Sequence, residues 1–293
     1  MAAKQTVQVA HLAAQVGYAI SNDKLDLSKP TWVLINSLCT SVEFYRPLFE
    51  SKTLANVVNL VAIEPLGHGA TTCATEHFNY WDTALAALQA LEALGVKKAY
   101  ALGTSQGGWI VVKMALLAPE KILGLIPLGT SMDAETSETR EKGCWDPVSF
   151  LQPILESWRN PNPDFIVGDE WIQAVMGQGF GSAATPQLLE FWSGALRRIY
   201  SGNDGRQRLR MAVICLASRD SLLLRIDDIK CPVHWLHGSA DTVYTTAVAE
   251  EHSKLFTGSS DVQFDIIEGG SHFLSATNPK EVEEAILAMT SKA

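Results

Sequence analysis

The chain has 293 residues, of which 47% are hydrophobic and 19% are charged, so it has enough apolar material for one large core. Its 23 Lys and Arg residues and 32 Asp and Glu residues give a formal net charge of −9. The sequence contains no basic cluster that would neutralise a run of phosphates, which argues against nucleic acid and anionic membranes as partners.

The first twenty residues lack the continuous apolar segment of a signal peptide, and no asparagine lies in an N-x-Ser/Thr context. The apolar run WIVVKMALLA is too short to span a bilayer and contains Lys113. The five cysteines are scattered without a C-x-x-C pair, so we expect reduced packing residues rather than a disulfide framework or a zinc site. These features predict a cytoplasmic protein.

The first half of the chain alternates predicted strands with predicted helices. Apolar runs and alternation predict strands at residues 7–12, 15–20, 31–36, 57–63, 98–102 and 122–128. Helices are predicted at residues 43–49, 81–94 and 106–118. The first two strands are expected to form a hairpin. The later alternation of strands and helices implies right-handed crossovers and a mostly parallel sheet covered on both faces.

This alternation stops between residues 131 and 226, where Pro and Gly are frequent and the helical pieces are short. The segment is rich in aromatic residues: Trp145, Phe150, Trp158, Trp171, Phe180, Phe191, Trp192 and Tyr200. Its position within the chain favours a helical cap over the sheet, although an ordinary helical core segment accounts for the aromatic residues equally well. The core domain would then comprise residues 1–130 and 227–293.

The sheet is predicted to resume with strands at residues 232–238 and 262–267, which brings the number of predicted strands to eight. The last helix is predicted to begin at Pro279, after Asn278 as its N-cap and with Glu281 three residues beyond that cap. Its apolar stripe is Val282, Ile286 and Met289.

Ser105 lies in the sequence GTSQG, at the predicted junction between a strand and a helix. A nucleophilic serine requires this context, because flanking glycines relieve crowding around a strained turn that lifts the hydroxyl clear of the sheet. The following helix also directs its N-terminal amides towards an oxyanion formed there. The alternative is a turn serine with incidental glycine neighbours, and the strand-to-helix context favours the nucleophile.

A serine hydroxyl needs a base to take its proton, and the base needs a carboxylate to orient it. Two residues lie just beyond later predicted strands: Asp241 after WLHG and His272 in the sequence EGGSHF. The order Ser, Asp, His is that of a doubly wound hydrolase sheet. His68, His234 and His237 are the competing histidines, but none of them follows the last strand. Asp133, after the strand that follows the serine, is the alternative acid.

These motifs resemble those of the α/β-hydrolase superfamily over nearly the whole chain. GTSQGG is similar to its nucleophile turn, LHGSAD to its acid loop, GGSHF to its histidine loop, and IEPLGHGATT to its D-x-R/P-G-H-G-x-S turn, with Glu64 in place of aspartate. The loop VLINSLCTS is similar to the N-S-L-G-T loop of 3-oxoadipate enol-lactonases, with Cys39 in place of glycine. The resemblance implies an oxyanion hole formed by the backbone amides of Leu38 and Gln106. Asn36 is then either a substrate contact or a structural residue of that loop.

The sequence therefore predicts a serine hydrolase that cleaves a carboxylic ester or lactone through an acyl-enzyme on Ser105, with no metal or organic cofactor. The aromatic cap favours a medium-sized, largely apolar substrate. Four residues are candidates for the pocket wall, each with core packing as the alternative: Met132, Trp145, Val243 and Phe273. The sequence leaves the oligomeric state open, and a homo-oligomer is compatible with it.

Three other functions use the same fold. The triad also serves C–C bond hydrolysis or lyase chemistry, in which the histidine performs the essential proton transfer. It also serves acyl transfer to an acceptor other than water. In a different class, a protein of this fold acts as a ligand receptor with little turnover.

Overall fold

The computed structural model describes residues 3–292. Within that range the strands form one eight-stranded sheet of order β1-β2-β4-β3-β5-β6-β7-β8. The strands are β1 (Gln5–Gln8), β2 (Gln15–Ile20), β3 (Thr31–Ile35), β4 (Asn59–Ile63), β5 (Ala99–Thr104), β6 (Ile122–Leu128), β7 (Val233–Gly238) and β8 (Val262–Ile267). Strand β2 is antiparallel to β1 and to β4, and all other neighbouring strands are parallel. The predicted hairpin and mostly parallel sheet are confirmed.

The α-helices of the described residues all follow β3 in the chain. They are α1 (Arg46–Phe49), α2 (Lys52–Val57), α3 (Tyr80–Ala93), α4 (Gln106–Leu117), α5 (Ser137–Glu141), α6 (Pro147–Ser157), α7 (Asp169–Phe180), α8 (Pro186–Ile199), α9 (Gly202–Ala217), α10 (Thr246–Ser253), α11 (Leu274–Thr277) and α12 (Pro279–Ser291). Among residues 3–292, no helix combines the length and the apolar character needed to cross a membrane.

Side chains of β3 show why both faces of the sheet are covered. Val33 and Ile35 belong to one buried apolar cluster, whereas Trp32 and Leu34 belong to another. Successive side chains of a strand point to opposite faces, so each face has its own hydrophobic core. Helices α3 and α4 contribute to the first cluster, and α12 contributes to the second.

Local sequence signals account for the ends of α3. The Asn79 side chain accepts hydrogen bonds from the amides of Trp81 (2.8 Å) and Asp82 (3.2 Å), and the Asp82 carboxylate accepts one from the Asn79 amide (2.8 Å). This reciprocal capping box satisfies amides that the first turn leaves free. Gly95, just beyond the helix, has a φ of +78°, which glycine adopts without strain.

Several predicted boundaries differ from the structure. The first strand ends at Gln8 rather than at residue 12, because residues 11–13 form a 3₁₀ turn. Residues 42–45 are also a 3₁₀ turn, so only residues 46–49 of the predicted helix 43–49 are α-helical. Helix α12 begins at Pro279 with Asn278 at its N-cap position, as predicted, but the Asn278 side chain forms no capping hydrogen bond. Its side-chain oxygen instead accepts a hydrogen bond from the Thr277 hydroxyl at 2.9 Å.

The segment between β6 and β7 contains α5 to α9 and no strand among its residues, all of which the structure describes. We call residues 131–226 the cap segment, and its limits stay a prediction. Many of its apolar residues, including Trp171, Phe180 and Trp192, are buried in the same cluster as Phe273 of the core. The five cysteines are unpaired.

Candidate active site

Ser105 occupies a sharp turn between β5 and α4. Its φ of 56° and ψ of −120° are strained for a residue with a Cβ atom. Two flanking glycines allow the turn. A Cβ on Gly103 would lie 2.1 Å from the Gly107 carbonyl oxygen, and a Cβ on Gly107 would lie 2.1 Å from the Ile35 carbonyl oxygen. Any larger residue at either position would collide with backbone, so the glycines of GTSQG are sterically required.

Asp241 lies in the loop after β7, and both oxygens of its buried carboxylate have hydrogen-bond partners. One oxygen, Oδ1, accepts hydrogen bonds from the amides of Val243 (2.8 Å) and Tyr244 (3.1 Å). The other oxygen, Oδ2, lies 2.8 Å from Nδ1 of His272. Burial alone raises the pKa of Asp241, but the neighbouring His272 and His237 and the Tyr244 amide outweigh it and lower the pKa below its usual value. Asp241 is therefore an ionised acceptor at neutral pH.

His272 lies in the loop between β8 and α11, and the neighbouring residues attach that loop to the cap segment. The Ser271 hydroxyl donates a hydrogen bond to the Phe180 carbonyl at 3.0 Å, and the Phe273 amide donates one to the Gly179 carbonyl at 2.8 Å. Because the ionised Asp241 carboxylate can only accept a hydrogen bond, Nδ1 of His272 carries the N–H that donates to it. The lone pair of the ring is then on Nε2. No described residue forms a hydrogen bond with Nε2.

Ser105 and His272 line the same cavity. No direct hydrogen bond joins the Ser105 hydroxyl to the imidazole among the described residues. Such bonds in unliganded enzymes are often long and shorten only when substrate binds. The structure thus places the serine and the histidine–aspartate pair at one cavity, and each residue lies just beyond the carboxyl end of a strand.

The predicted oxyanion donors are the backbone amides of Leu38, in the loop after β3, and of Gln106, directly after Ser105. Neither the Leu38 amide nor the Gln106 amide donates a hydrogen bond to any described residue. Gln106 is the first residue of α4, where the helix leaves its N–H groups without partners inside the helix. Leu38 lines the cavity together with Ser105. These are the donors that an oxyanion at the cavity would require.

The Gln106 side chain is held by two buried rings. The Tyr80 hydroxyl donates to its oxygen at 3.1 Å, and its nitrogen donates to Nε2 of His68 at 3.1 Å. Nδ1 of His68 in turn donates to the Leu66 carbonyl at 3.0 Å. Burial lowers the pKa of His68 to about 4, so the ring is neutral and can both donate and accept. His68 therefore supports the turn that carries Ser105.

Asn36 lies in the loop after β3, and its side chain contacts the loop rather than the cavity. Its amide nitrogen donates to the carbonyls of Ser37 (3.1 Å) and Thr40 (2.9 Å). This geometry matches the structural alternative and does not support the substrate contact. Cys39 in the same loop has a φ of 58°, the left-handed conformation that favours glycine, and it is fully buried.

Glu64 replaces the usual aspartate of the G-H-G turn and links two loops. Its buried carboxylate accepts hydrogen bonds from the Ala70 amide at 2.6 Å and from the Val42 amide at 3.1 Å. Lys4 lies 3.4 Å from the same carboxylate. The longer side chain thus connects the turn at Ala70 with the segment that follows the Leu38 loop.

The cavity has a volume of about 50 Å³ and is mostly apolar. Its aromatic lining residues are Trp145, Phe150, Trp171, Tyr244 and Phe273, and its aliphatic ones are Leu38, Leu151, Val175, Leu216 and Val243. Three of the four predicted wall residues, Trp145, Val243 and Phe273, are among them. Met132 is not, because it is completely buried in the hydrophobic core, where its amide donates a hydrogen bond to Nδ1 of His252 at 3.1 Å.

The competing candidates lie elsewhere. His234 pairs with Asp265 at 2.7 Å, and the Asp133 carboxylate forms no hydrogen bond with His272 among the described residues. His237 lies closer to the site, with Nε2 at 3.6 Å from the Asp241 carboxylate and 2.8 Å from the Tyr244 carbonyl. Burial lowers its pKa, so it is a neutral neighbour of Asp241.

Sequence reasoning missed several lining residues of the cap segment. The sequence distinguishes Phe150 and Trp171 only as aromatic residues, and it contains no signal for Val175, Gln178 and Leu216, all of which line the cavity. Tyr244, three residues after Asp241, was also missed, although its position in the acid loop places it beside His272, with ring centroids 5.7 Å apart.

Comparison with known proteins shows the family of this chain. Residues 30–279 match the family described as alpha/beta hydrolase fold, and the chain belongs to that family. The predicted fold class is thereby confirmed.

Individual relatives are distant. The chain is 25% identical to a probable 1-acylglycerol-3-phosphate O-acyltransferase of rice (Oryza sativa subsp. japonica), over 88% of this chain and 66% of that protein. Its fold is similar to that of a hydrolase from Pseudomonas aeruginosa, with 21% identity, a TM-score of 0.77 and coverage of 98% and 97% of the two chains. An enol-lactonase from Burkholderia xenovorans has 16% identity, a TM-score of 0.75 and coverage of 98% and 100%.

Proposed function

We propose that the chain is a serine hydrolase that cleaves a carboxylic ester or lactone of a medium-sized, largely apolar metabolite. The observation that carries this proposal is the buried Asp241–His272 pair, 2.8 Å apart, at the same cavity as Ser105 on its strained turn. A hydroxyl, an oriented imidazole and free amides together are the requirements of acyl transfer through an acyl-enzyme.

In the first half of the reaction, Ser105 Oγ attacks the substrate carbonyl carbon while Nε2 of His272 accepts the hydroxyl proton. The carbonyl oxygen becomes an oxyanion, which the amides of Leu38 and Gln106 stabilise. Removing one such donor typically costs about a hundred- to a thousandfold in rate. The imidazolium, stabilised by ionised Asp241, then returns the proton to the leaving alkoxide as the C–O bond breaks.

In the second half, water attacks the acyl-enzyme. Nε2 of His272 removes a proton from this water, and the tetrahedral intermediate collapses to release the acid. The proton passes to Ser105 Oγ, which restores the free enzyme. In a lactone the alcohol and the acid are parts of one product, so ring opening releases a hydroxy acid.

The apolar lining supports a largely apolar acyl group. The cavity of about 50 Å³ is smaller than the roughly 150 Å³ of an apolar cavity that holds benzene in another protein. The cavity at this volume therefore fits a short acyl group, and a ring-bearing group requires its lining side chains to move apart.

A fluorophosphonate probe tests the assignment of the nucleophile. We expect covalent labelling of one site, located at Ser105 by peptide mass, and a burst of acyl-enzyme with activated short-chain esters in intact-mass measurements. Ser37→Ala is the matched control because Ser37 also lines the cavity, and labelling should persist in it. Labelling that persists in Ser105→Ala, or labelled protein that turns over no ester or lactone, contradicts the proposal.

Acyl transfer is a second candidate because the rice relative is named as a probable acyltransferase. Both functions share the acyl-enzyme and differ in the acceptor. Adding a 1-acylglycerol-3-phosphate to preformed acyl-enzyme separates them. Hydrolysis predicts free acid at an unchanged rate, whereas acyl transfer predicts faster deacylation and a diacyl product.

A further inference from the structure

A buried ion pair lies behind one wall of the active-site cavity. Glu135 follows β6 and Arg219 follows α9, so both belong to the cap segment. Their side chains are 2% and 1% exposed, respectively, and they form a direct salt bridge. Neither residue lines the cavity, so neither is positioned to contact substrate.

The pair binds three residues that do line the cavity. The Glu135 carboxylate accepts a hydrogen bond from Trp145 Nε1 at 3.0 Å. Arg219 donates from Nη2 to the Tyr244 hydroxyl at 3.2 Å and from Nη1 to the Leu216 carbonyl at 2.6 Å. The planar guanidinium and the carboxylate thus fix the positions of an indole, a phenol and a main-chain group relative to one another.

One of these contacts leads directly to the catalytic groups. The Tyr244 ring lies against His272, and the Tyr244 amide donates to Asp241 Oδ1 at 3.1 Å. The Arg219 guanidinium also lies over the Trp109 ring of α4, 4.4 Å from its centroid. The pair therefore connects the cap segment, to which it belongs, with the acid loop at Tyr244 and with helix α4 at Trp109.

Stability alone does not explain such a pair. Removing two charges from water is costly, and apolar residues of similar volume often replace a buried ion pair without loss of stability. Arg219 Nε moreover has no hydrogen-bond partner among the described residues, so its desolvation is incompletely offset. What the pair supplies is a fixed geometry for the wall formed by Trp145, Leu216 and Tyr244.

We propose that the Glu135–Arg219 pair determines acyl-chain selectivity, by holding Trp145, Leu216 and Tyr244 at a cavity that favours short acyl groups over long ones. The two are positioning residues, and this inference rests on the proposed hydrolase function. Weakening the ion pair allows the wall residues to move away from the cavity, so kcat/KM for longer acyl chains rises relative to that for short ones. One methylene in an apolar pocket typically changes discrimination about 10- to 200-fold, so a small displacement is measurable.

The test is the ratio of kcat/KM for p-nitrophenyl octanoate to that for p-nitrophenyl acetate. In Glu135→Gln we expect the ratio to rise roughly tenfold, mainly through a lower KM for octanoate, which an unspecific loss of structure would not produce. Trp145→Phe keeps an aromatic wall without the indole N–H and should shift the ratio in the same direction. Glu138→Gln, at an exposed position three residues further along, is the matched control and should leave it unchanged.

Glu135→Gln leaves a buried guanidinium without its charge partner and risks misfolding. The double variant Glu135→Gln/Arg219→Met removes both charges and should fold while shifting the ratio. An equal loss of kcat/KM for all acyl-chain lengths would overturn the proposal. So would an unchanged octanoate-to-acetate ratio of kcat/KM in both the double variant and Trp145→Phe. Fluorophosphonate labelling separates the two proposals. A labelled wild type with an unchanged ratio in the variants overturns the selectivity proposal alone, whereas a wild type without labelling or turnover overturns both.

Discussion

Asp241 Oδ2 and His272 Nδ1 lie 2.8 Å apart although 31 positions separate the two residues in the chain. They meet because β7 and β8 are parallel neighbours and each residue follows the carboxyl end of its strand. The Asp241 carboxylate also accepts two main-chain amides, so its position does not depend on the histidine. The imidazole is thus oriented by a rigid acceptor.

Replacing Asp241 with Asn should lower kcat for an activated ester on the order of ten-thousandfold, with little change in KM. The reason is that an amide N–H facing Nδ1 favours the tautomer with the proton on Nε2, which cannot accept the serine proton. Steady-state kinetics measures the effect. Asp133→Asn is the control and should retain activity within about threefold, and the reverse result would transfer the acid role to Asp133.

The glycines of the serine turn should not tolerate a methyl group. Gly107→Ala brings a Cβ to within 2.1 Å of the Ile35 carbonyl oxygen, so we expect destabilisation of about 3 kcal/mol or more, measured by denaturant unfolding. Gly194→Ala is the matched control in α8, because nothing lies within 4 Å of its added Cβ. That variant should gain about 0.5–1 kcal/mol from helix propensity. Equal stabilities of the two variants would show that the turn is less constrained than the structure indicates.

Cys39 offers a direct test of backbone strain. Both Cys39→Gly and Cys39→Ala lose the buried thiol, but only alanine keeps a Cβ at a φ of 58°. A protein with alanine is usually more stable than one with glycine at the same position by about 0.4–1 kcal/mol, because alanine lowers the conformational entropy of the unfolded chain. A positive φ in the folded protein reverses that order. We therefore expect the glycine variant to unfold at the higher temperature. A more stable alanine variant would contradict the left-handed conformation of this loop.

His68 should make stability depend on pH in the acidic range. Unfolded histidine has a pKa of about 6.5, whereas burial lowers the pKa of His68 to about 4. Between these values the unfolded chain binds the proton and the folded chain does not, so stability is lost as the pH falls from 6.5 to 4. The loss attributable to this residue is at most roughly 3 kcal/mol.

Unfolding free energies at pH 7 and pH 4 measure this contribution. His68→Asn removes the titrating ring, so its stability should fall less between the two pH values than that of the wild type. His77→Asn, at an exposed position, should retain the wild-type pH dependence. An equal pH dependence in His68→Asn and the wild type would mean that other groups dominate the acid response.

The sequence identified the elements that local patterns encode. The bounds of β6 and β8 are those predicted from their apolar runs, and a strand is present at each of the eight predicted positions. Ser105, Asp241 and His272 each follow a predicted strand, and parallel strands bring their carboxyl ends to one edge. Boundaries set by loop geometry were less accurate, as the 3₁₀ turn at residues 11–13 shows.

Only the tertiary structure decided which side chains surround the cavity. Met132 and Trp145 were equally plausible wall residues, yet Met132 is buried in the core while the Trp145 indole is held at the cavity by Glu135. The Glu135–Arg219 pair joins residues 84 positions apart and has no local signature. Hydrophobic periodicity and turn residues determine structure over a few neighbouring positions. The packing of a helical segment on a sheet depends instead on all the contacting surfaces together. For that reason the positions of Ser105, Asp241 and His272 beyond the ends of their strands could be predicted from the chain, and the shape of the pocket could not.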